Sequence, residues 1–252
     1  MLQEPFSTGN SQIHRLDPRS KVVFATVYAF VVALSNSFPA LIAALVFSFV
    51  LVGVCRLDFL EVAKRVALVN GFIIFLWLVV PLTYVGQPVF HWGPFEVSRE
   101  GILVSARITL KSNAILLAFI ALIASSTVAT LGNALSRLRF PEKIIYLLLL
   151  NYRYIFVMEE EYRRLLRSAS IRGFRPASKL HTYKTYAYLI GILFVRASDR
   201  AERVYKAMLC RGFAGKFYSL HEFSFSRLDL IWWVVMTIAI IGLEILEWVN
   251  IA

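Results

Sequence analysis

The sequence predicts an all-α, polytopic membrane protein, and three observations carry that prediction. Hydrophobic residues make up 58% of the 252 positions and charged residues only 17%, with a mean hydropathy of +0.66. That is far from the balance of a soluble domain. The apolar residues also fall in blocks, at about 22–34, 39–55, 66–85, 114–131 and 230–249. Most of these approach or reach the ~17–25 residues that a helix needs to cross a bilayer core. Finally, the net charge of +11 is concentrated: residues 159–227 hold 14 Lys and Arg against 6 Asp and Glu. A basic block of this kind beside membrane segments marks a cytoplasmic face, because Lys and Arg resist translocation.

Threading the blocks by that rule gives an order. "HRLDPRSK" (residues 14–21) is basic and precedes the first block, so the N-terminus is expected inside. The first ten residues carry Glu4 and no apolar stretch, so no cleaved leader is expected. The first block is short, but Ser35, Asn36 and Ser37 extend it without charge, and this uncharged link lies outside. "RLDFLEVAKR" (56–65) returns the chain to the inside. "GQPVFHWGPFEVSREG" (86–101) holds one Arg and two Glu and lies outside, where its Gly, Pro and aromatic residues suit a short interfacial hairpin. "LSRLRFPEK" (135–143) is again basic and inside.

Two further apolar runs, 144–158 and 185–195, are short, and Arg153 interrupts the first. If both spanned, the six cations from Arg163 to Lys179 would face outside, against the bias. They are therefore read as the roots of two amphipathic helices on the cytoplasmic side. A last span at 230–249 exports Glu244 and Glu247. The expected architecture is about five transmembrane helices plus a pair of long amphipathic helices; seven full spans is the alternative.

The two helices share a phase. Ile155, Met158, Tyr162, Leu165 and Ala169 form one apolar stripe, and Arg172 falls where its next member is due. Ile190, Phe194, Ala197, Ala201, Val204 and Met208 form the other, continued by Arg211. Both arginines begin an Arg-Gly-Phe tripeptide, and they stand 39 residues apart. Glycine just past a helix end, followed by an apolar residue, describes a C-cap, and a cation there meets the helix dipole favourably. The same residues also suit docking. On an apolar stripe each guanidinium needs a carboxylate partner, and a fork projecting past the stripe can find one on another protein. Two copies then imply two similar grooves.

The paired Arg-Gly-Phe helix ends, "LDPRSK" (16–21) before the first span, and the stretches "NYRYIFVMEEEYRRLLRSASIRGF" and "RASDRAERVYKAMLCRGF" resemble the T component, the transmembrane coupling subunit, of energy-coupling factor ABC transporters. The resemblance covers nearly the whole chain and is greatest toward the cobalt and nickel branch (CbiQ/NikQ-like). It implies two coupling helices that dock on a pair of ATPase subunits through X-Arg-X signatures. These correspond to Ile171, Arg172 and Gly173, and to Cys210, Arg211 and Gly212. The family often has Ala before the arginine, and this chain departs from that at both sites. The resemblance divides the chain into a cytoplasmic segment (1–21), four spans (22–131), a coupling-helix region (132–227) and a final span (228–252). It implies residence in the inner, cytoplasmic membrane, a substrate-binding S component (CbiM/NikM-like), a small auxiliary membrane subunit, and energy coupling for uptake of cobalt or nickel ions; the alternatives are a T component serving a vitamin-binding S component and an ATP-independent facilitator.

Other chemistry finds little support in the residues. Gly215-Lys216 is followed by Phe and lacks the upstream glycine of a phosphate loop, so no ATP binding, and no cofactor, is expected in this chain. His14, His91, His181 and His221 lack metal-ligand spacing, and His91-Trp92 reads as an interfacial anchor. Cys55 and Cys210 read as two unpaired thiols. An intramembrane enzyme would need clustered nucleophiles or carboxylates, which the spans lack. A nucleic-acid binder using simple counterion release would not single out two cations among fourteen. Asn70, Lys111 and Asn113 are the polar outliers within the spans, with Arg107 and Lys111 close enough to the outer face to snorkel.

Overall fold

The computed structural model describes residues 16–84, 88–92, 95–138, 140–213, 215 and 227–251. His14, His221 and Lys216 lie outside them, as do the side chains of His91 and Trp92. The described residues form helices α1 (Pro18–Leu34), α2 (Phe38–Cys55), α3 (Phe59–Thr83), α4 (Arg99–Leu122), α5 (Val128–Arg137), α6 (Glu142–Ile171), α7 (Leu180–Cys210) and α8 (Arg227–Ile251), with a short hairpin of β1 (Pro88–Trp92) and β2 (Phe95–Ser98) between α3 and α4. The hairpin is antiparallel, with Trp92 opposite Phe95, where the sequence placed one. The chain divides into two compact units, Leu135–Glu222 and a bundle built from residues 4–134 and 223–252.

Helices α2, α3, α4 and α8 are long and apolar enough to cross a membrane. α1, with 17 residues, lies at the lower limit of a spanning helix. Its start is set by Asp17, whose carboxylate accepts from the Arg19 N–H at 2.9 Å, and by Pro18 at the first helical position. α2 ends at Arg56, held in a left-handed conformation with φ 49°. Neither α6 nor α7, at 30 and 31 residues, counts among the helices apolar enough to span.

The fourth span differs from the block read in the sequence. The apolar run 114–131 is broken after Leu122, and the helix begins at Arg99. The cations inside it are solvated by neighbours: Lys111 Nζ donates to the Ala33 carbonyl at 2.8 Å and to Asn36 Oδ1 at 3.2 Å, and Arg107 lies over the Phe38 ring. Ser126 and Thr127 end the run, the Thr127 hydroxyl accepting the Thr130 N–H at 3.2 Å to cap α5.

Small residues and buried hydroxyls hold the bundle. Ala25, Ala44, Ala114, Ala118 and Ala121 are buried and let the helix backbones approach, which is how helices pack where lipid offers no hydrophobic gain. Tyr28 Oη donates to the Ala44 carbonyl at 2.7 Å, Ser48 Oγ to the Ala114 carbonyl at 2.8 Å, and Cys55 Sγ to the Ala121 carbonyl at 3.2 Å. Asn113 Nδ2 donates to Asn70 Oδ1 at 3.1 Å, so two of the polar outliers satisfy each other across α3 and α4.

Where α4 begins, it lies close against α3. A Cβ on Gly101 would sit 2.7 Å from Pro81 Cα and 2.8 Å from Ser98 Oγ, whose hydroxyl caps the helix. Gly101→Val is expected to force α3 and α4 apart and lower the thermal midpoint of the purified protein; overpacking of this kind costs about 1–3 kcal/mol. An unchanged midpoint would contradict it.

Candidate functional site

The two Arg-Gly-Phe tripeptides fold identically. In the first, α6 ends at Ile171, Arg172 is the capping residue, and Gly173 takes φ +87°. The Gly173 N–H donates to the Ser170 carbonyl at 3.0 Å and the Phe174 N–H to the Ala169 carbonyl at 3.1 Å. In the second, α7 ends at Cys210, Arg211 caps, and Gly212 takes φ +76°. Its N–H donates to the Leu209 carbonyl at 3.0 Å, and the Phe213 N–H to the Met208 carbonyl at 3.1 Å. Both are Schellman motifs, in which glycine supplies the left-handed residue and an apolar residue follows. Phe174 then packs edge-on against Tyr186 of α7, ring centroids 5.6 Å apart.

The motif therefore divides in two. Gly and Phe are explained by the helix end; Arg is not, because many residue types serve at the capping position. Both arginines are exposed, together with Ile171 and Cys210 before them. This corrects the expectation that they lie on buried stripes. The helices stop at the residue before each arginine, and the left-handed glycine turns the chain away, so the stripe is not continued into the protein.

The stripes themselves fare differently. On α6, Leu165 is buried and Met158, Tyr162 and Ala169 are half-buried. On α7, Ile190 and Phe194 remain 49% and 73% exposed, and the helix turns Leu189 inward instead. The pairing of α6 with α7 is completed by Glu161, which the sequence reading passed over. Its buried carboxylate accepts from Arg196 of α7, and that guanidinium holds it below the usual carboxylate range. Glu161 shares a face with Met158 and Leu165, and an acid at an apolar register was the available signal. The other face carries two pairs one helical turn apart, Glu159–Arg163 at 2.6 Å and Glu160–Arg164 at 3.6 Å. Both are solvent-screened pairs that support the helix locally.

A groove of about 470 Å³ opens beside the first motif, between the end of α6 and the start of α7, and Arg172, Phe174, His181, Thr185 and Arg196 are among its lining residues. Among the described residues no cluster of three His, Cys, Asp or Glu is placed to hold a metal ion. Cys55 is a buried free thiol and Cys210 an exposed one.

The sequence is similar to those of known proteins. A family described as CbiQ, cobalt transport protein, matches residues 9–221. The energy-coupling factor transporter transmembrane protein EcfT of Acidaminococcus fermentans is 27% identical over 260 residues, covering 95% of this chain and 94% of its own. EcfT of Bacillus subtilis is 26% identical, covering 85% of each chain. EcfT of Streptococcus equi subsp. equi is 28% identical, covering 82% of this chain and 81% of its own.

Proposed function

The chain belongs to the CbiQ family and is similar over most of its length to energy-coupling factor transporter transmembrane proteins, and from that premise we propose that it couples ATP hydrolysis by partner ATPases to uptake of a micronutrient. The observation that carries the reading is the duplicated Schellman end. Two long helices finish in the same geometry and present an exposed arginine that the fold does not require. A guanidinium held past a rigid helix end is a preorganised fork for a carboxylate in a groove of another protein. Two such ends match a pair of ATPase subunits. Ile171, Arg172 and Gly173 form one coupling motif, and Cys210, Arg211 and Gly212 the other.

In this reading the coupling subunit hydrolyses nothing itself. The ATPases bind and cleave ATP, their separation changes, and Arg172 and Arg211 pass that motion to α6 and α7. The exposed side chains of Ile190 and Phe194 on α7 supply apolar surface for the membrane protein that binds the cargo. That partner is an S component of the CbiM/NikM-like type, accompanied by a small auxiliary membrane subunit, and the cargo is cobalt or nickel. The family's description supports the metal. The spans lie in the inner, cytoplasmic membrane, with the N-terminus and α6–α7 on the cytoplasmic side, as the cations from Arg163 to Lys179 favour.

The test is a mild-detergent pull-down of the tagged chain from its native host beside the Arg172→Glu/Arg211→Glu variant. The wild type is expected to retain an ATPase and a small membrane protein, and the variant to lose chiefly the ATPase. Retention of the same ATPase by both forms would end the coupling role of the arginines.

A further inference from the structure

We infer that Lys21 is a positioning residue for coupling, acting through Ser126 to fix the link from which α5 starts. The inference rests on the coupling reading and adds a second part to it, at the end of the bundle where α1 begins.

Lys21 is 1% exposed, among the largest fully buried side chains of the protein. Its ammonium donates to Ser126 Oγ at 3.1 Å. Asp229, at the start of α8 and 2% exposed, acts on it electrostatically and accepts the Asp17 N–H at 2.9 Å. Ser20 Oγ donates back to the Asp17 carbonyl at 2.7 Å. The stretch "LDPRSK" thus joins the starts of α1 and α8 to the α4–α5 link. The Arg-Gly-Phe ends make no use of it.

A buried charge pair is a poor way to gain stability, since well-packed apolar residues in its place are often neutral or better. It is a good way to fix one arrangement, because the charge has few alternative partners in an apolar bundle. Here the arrangement fixed is the link. Ser126 N–H donates to the Ile123 carbonyl at 3.0 Å and Ser125 Oγ to the Leu122 carbonyl at 3.2 Å, while Thr127 caps α5. Lys21 holds Ser126 between these two turns. α5 runs from there toward Leu135, where the unit carrying α6 and α7 begins. Force carried along the backbone from α4 to α6 crosses this link. If Lys21 did not hold it, the link would yield before the motion was transmitted.

The experiment uses the whole complex copurified from the native host, comparing wild type with Ser126→Ala, which removes the acceptor, and Ser126→Thr, which keeps a hydroxyl. In proteoliposomes, ATP hydrolysis is measured alongside ATP-driven uptake of Co²⁺ and Ni²⁺. In parallel, spin labels carried on p-acetylphenylalanine in place of Lys64 and of Ala129, both exposed sites, report the distance from α3 to α5 with Cys210 left intact. The expected result for Ser126→Ala is about a tenfold fall in maximal uptake with KM and ATP hydrolysis unchanged, and a broadened distance distribution. Ser126→Thr restores both. Uptake per ATP that stays at the wild-type value in Ser126→Ala overturns the inference, as does uptake that falls only in step with complex assembly. A wild-type complex that hydrolyses ATP but takes up neither ion overturns the metal-importer reading, while a broadened distance in Ser126→Ala still supports the link and an unchanged one removes it.

Discussion

Arg172→Ala and Arg211→Ala are each expected to weaken retention of the ATPase about 30-fold, and the pair about a thousandfold, with helicity by circular dichroism unchanged. Buried arginine anchors at interfaces contribute roughly 2 kcal/mol or more each, and contributions from separated sites add when both ends engage at once. The helix ends survive these changes because their hydrogen bonds are made by backbone groups of Gly173, Phe174, Gly212 and Phe213. Gly173→Val and Gly212→Val separate the two halves of the motif from the other side. A side chain at φ +87° or +76° is strained whatever the space around it, so the caps open while the arginines remain. These variants are expected to fray the last helical turn and weaken the ATPase through lost preorganisation, by less than the arginine substitutions. Titration of the purified ATPase onto the reconstituted chain measures both. Equal affinity for wild type and Arg172→Ala/Arg211→Ala would leave the motifs as helix caps only.

Glu247→Ala is expected to destabilise the bundle strongly. The Glu247 carboxylate on α8 accepts from Ser35 Oγ at 2.5 Å, Asn36 N–H at 2.7 Å, Ser37 N–H at 3.1 Å and Ser37 Oγ at 2.6 Å. It therefore closes the α1–α2 link from a helix 210 or more positions away in the chain. The link does not cap itself: Ser37 makes no side-chain capping bond at the start of α2. Removing a charged acceptor leaves these donors unsatisfied in a partly buried site, at a cost of about 2–3 kcal/mol. For a chain of this length that is a fall of roughly 4–12 °C in thermal midpoint. Glu247→Gln keeps one acceptor oxygen and is expected to fall between. A midpoint within a degree of wild type for Glu247→Ala would show that the link is held by other contacts.

Much of the fold was legible because membrane helices are written in local terms. Composition and spacing located α2 and α8 to within a few residues, and the hairpin between α3 and α4 followed from its Gly, Pro and aromatic residues. The fourth span was misplaced because Arg107 and Lys111 read as an end to apolar sequence. Their solvation is a tertiary matter: a carbonyl and an amide from the α1–α2 region, and the face of Phe38, sit beside them. The stripe on α7 failed in the opposite way. Its period was correct, but period alone does not say which side another helix covers: Leu189 is buried and Arg196 reaches Glu161 of α6, while Ile190 and Phe194 stay exposed.

The sequence by itself determined a polytopic helical membrane protein and its family, and it marked both Arg-Gly-Phe helix ends, since a glycine able to hold positive φ and the apolar residue after it are local requirements of a helix terminus. Only the tertiary structure decided what the buried charges do. Lys21 with Asp229 and Ser126, Glu161 with Arg196, and Glu247 with Ser35, Asn36 and Ser37 are partners separated by 35 to 212 positions. No local pattern specifies such pairs, because a charge in an apolar bundle is stabilised by whichever polar group the packing of whole helices brings within hydrogen-bonding reach.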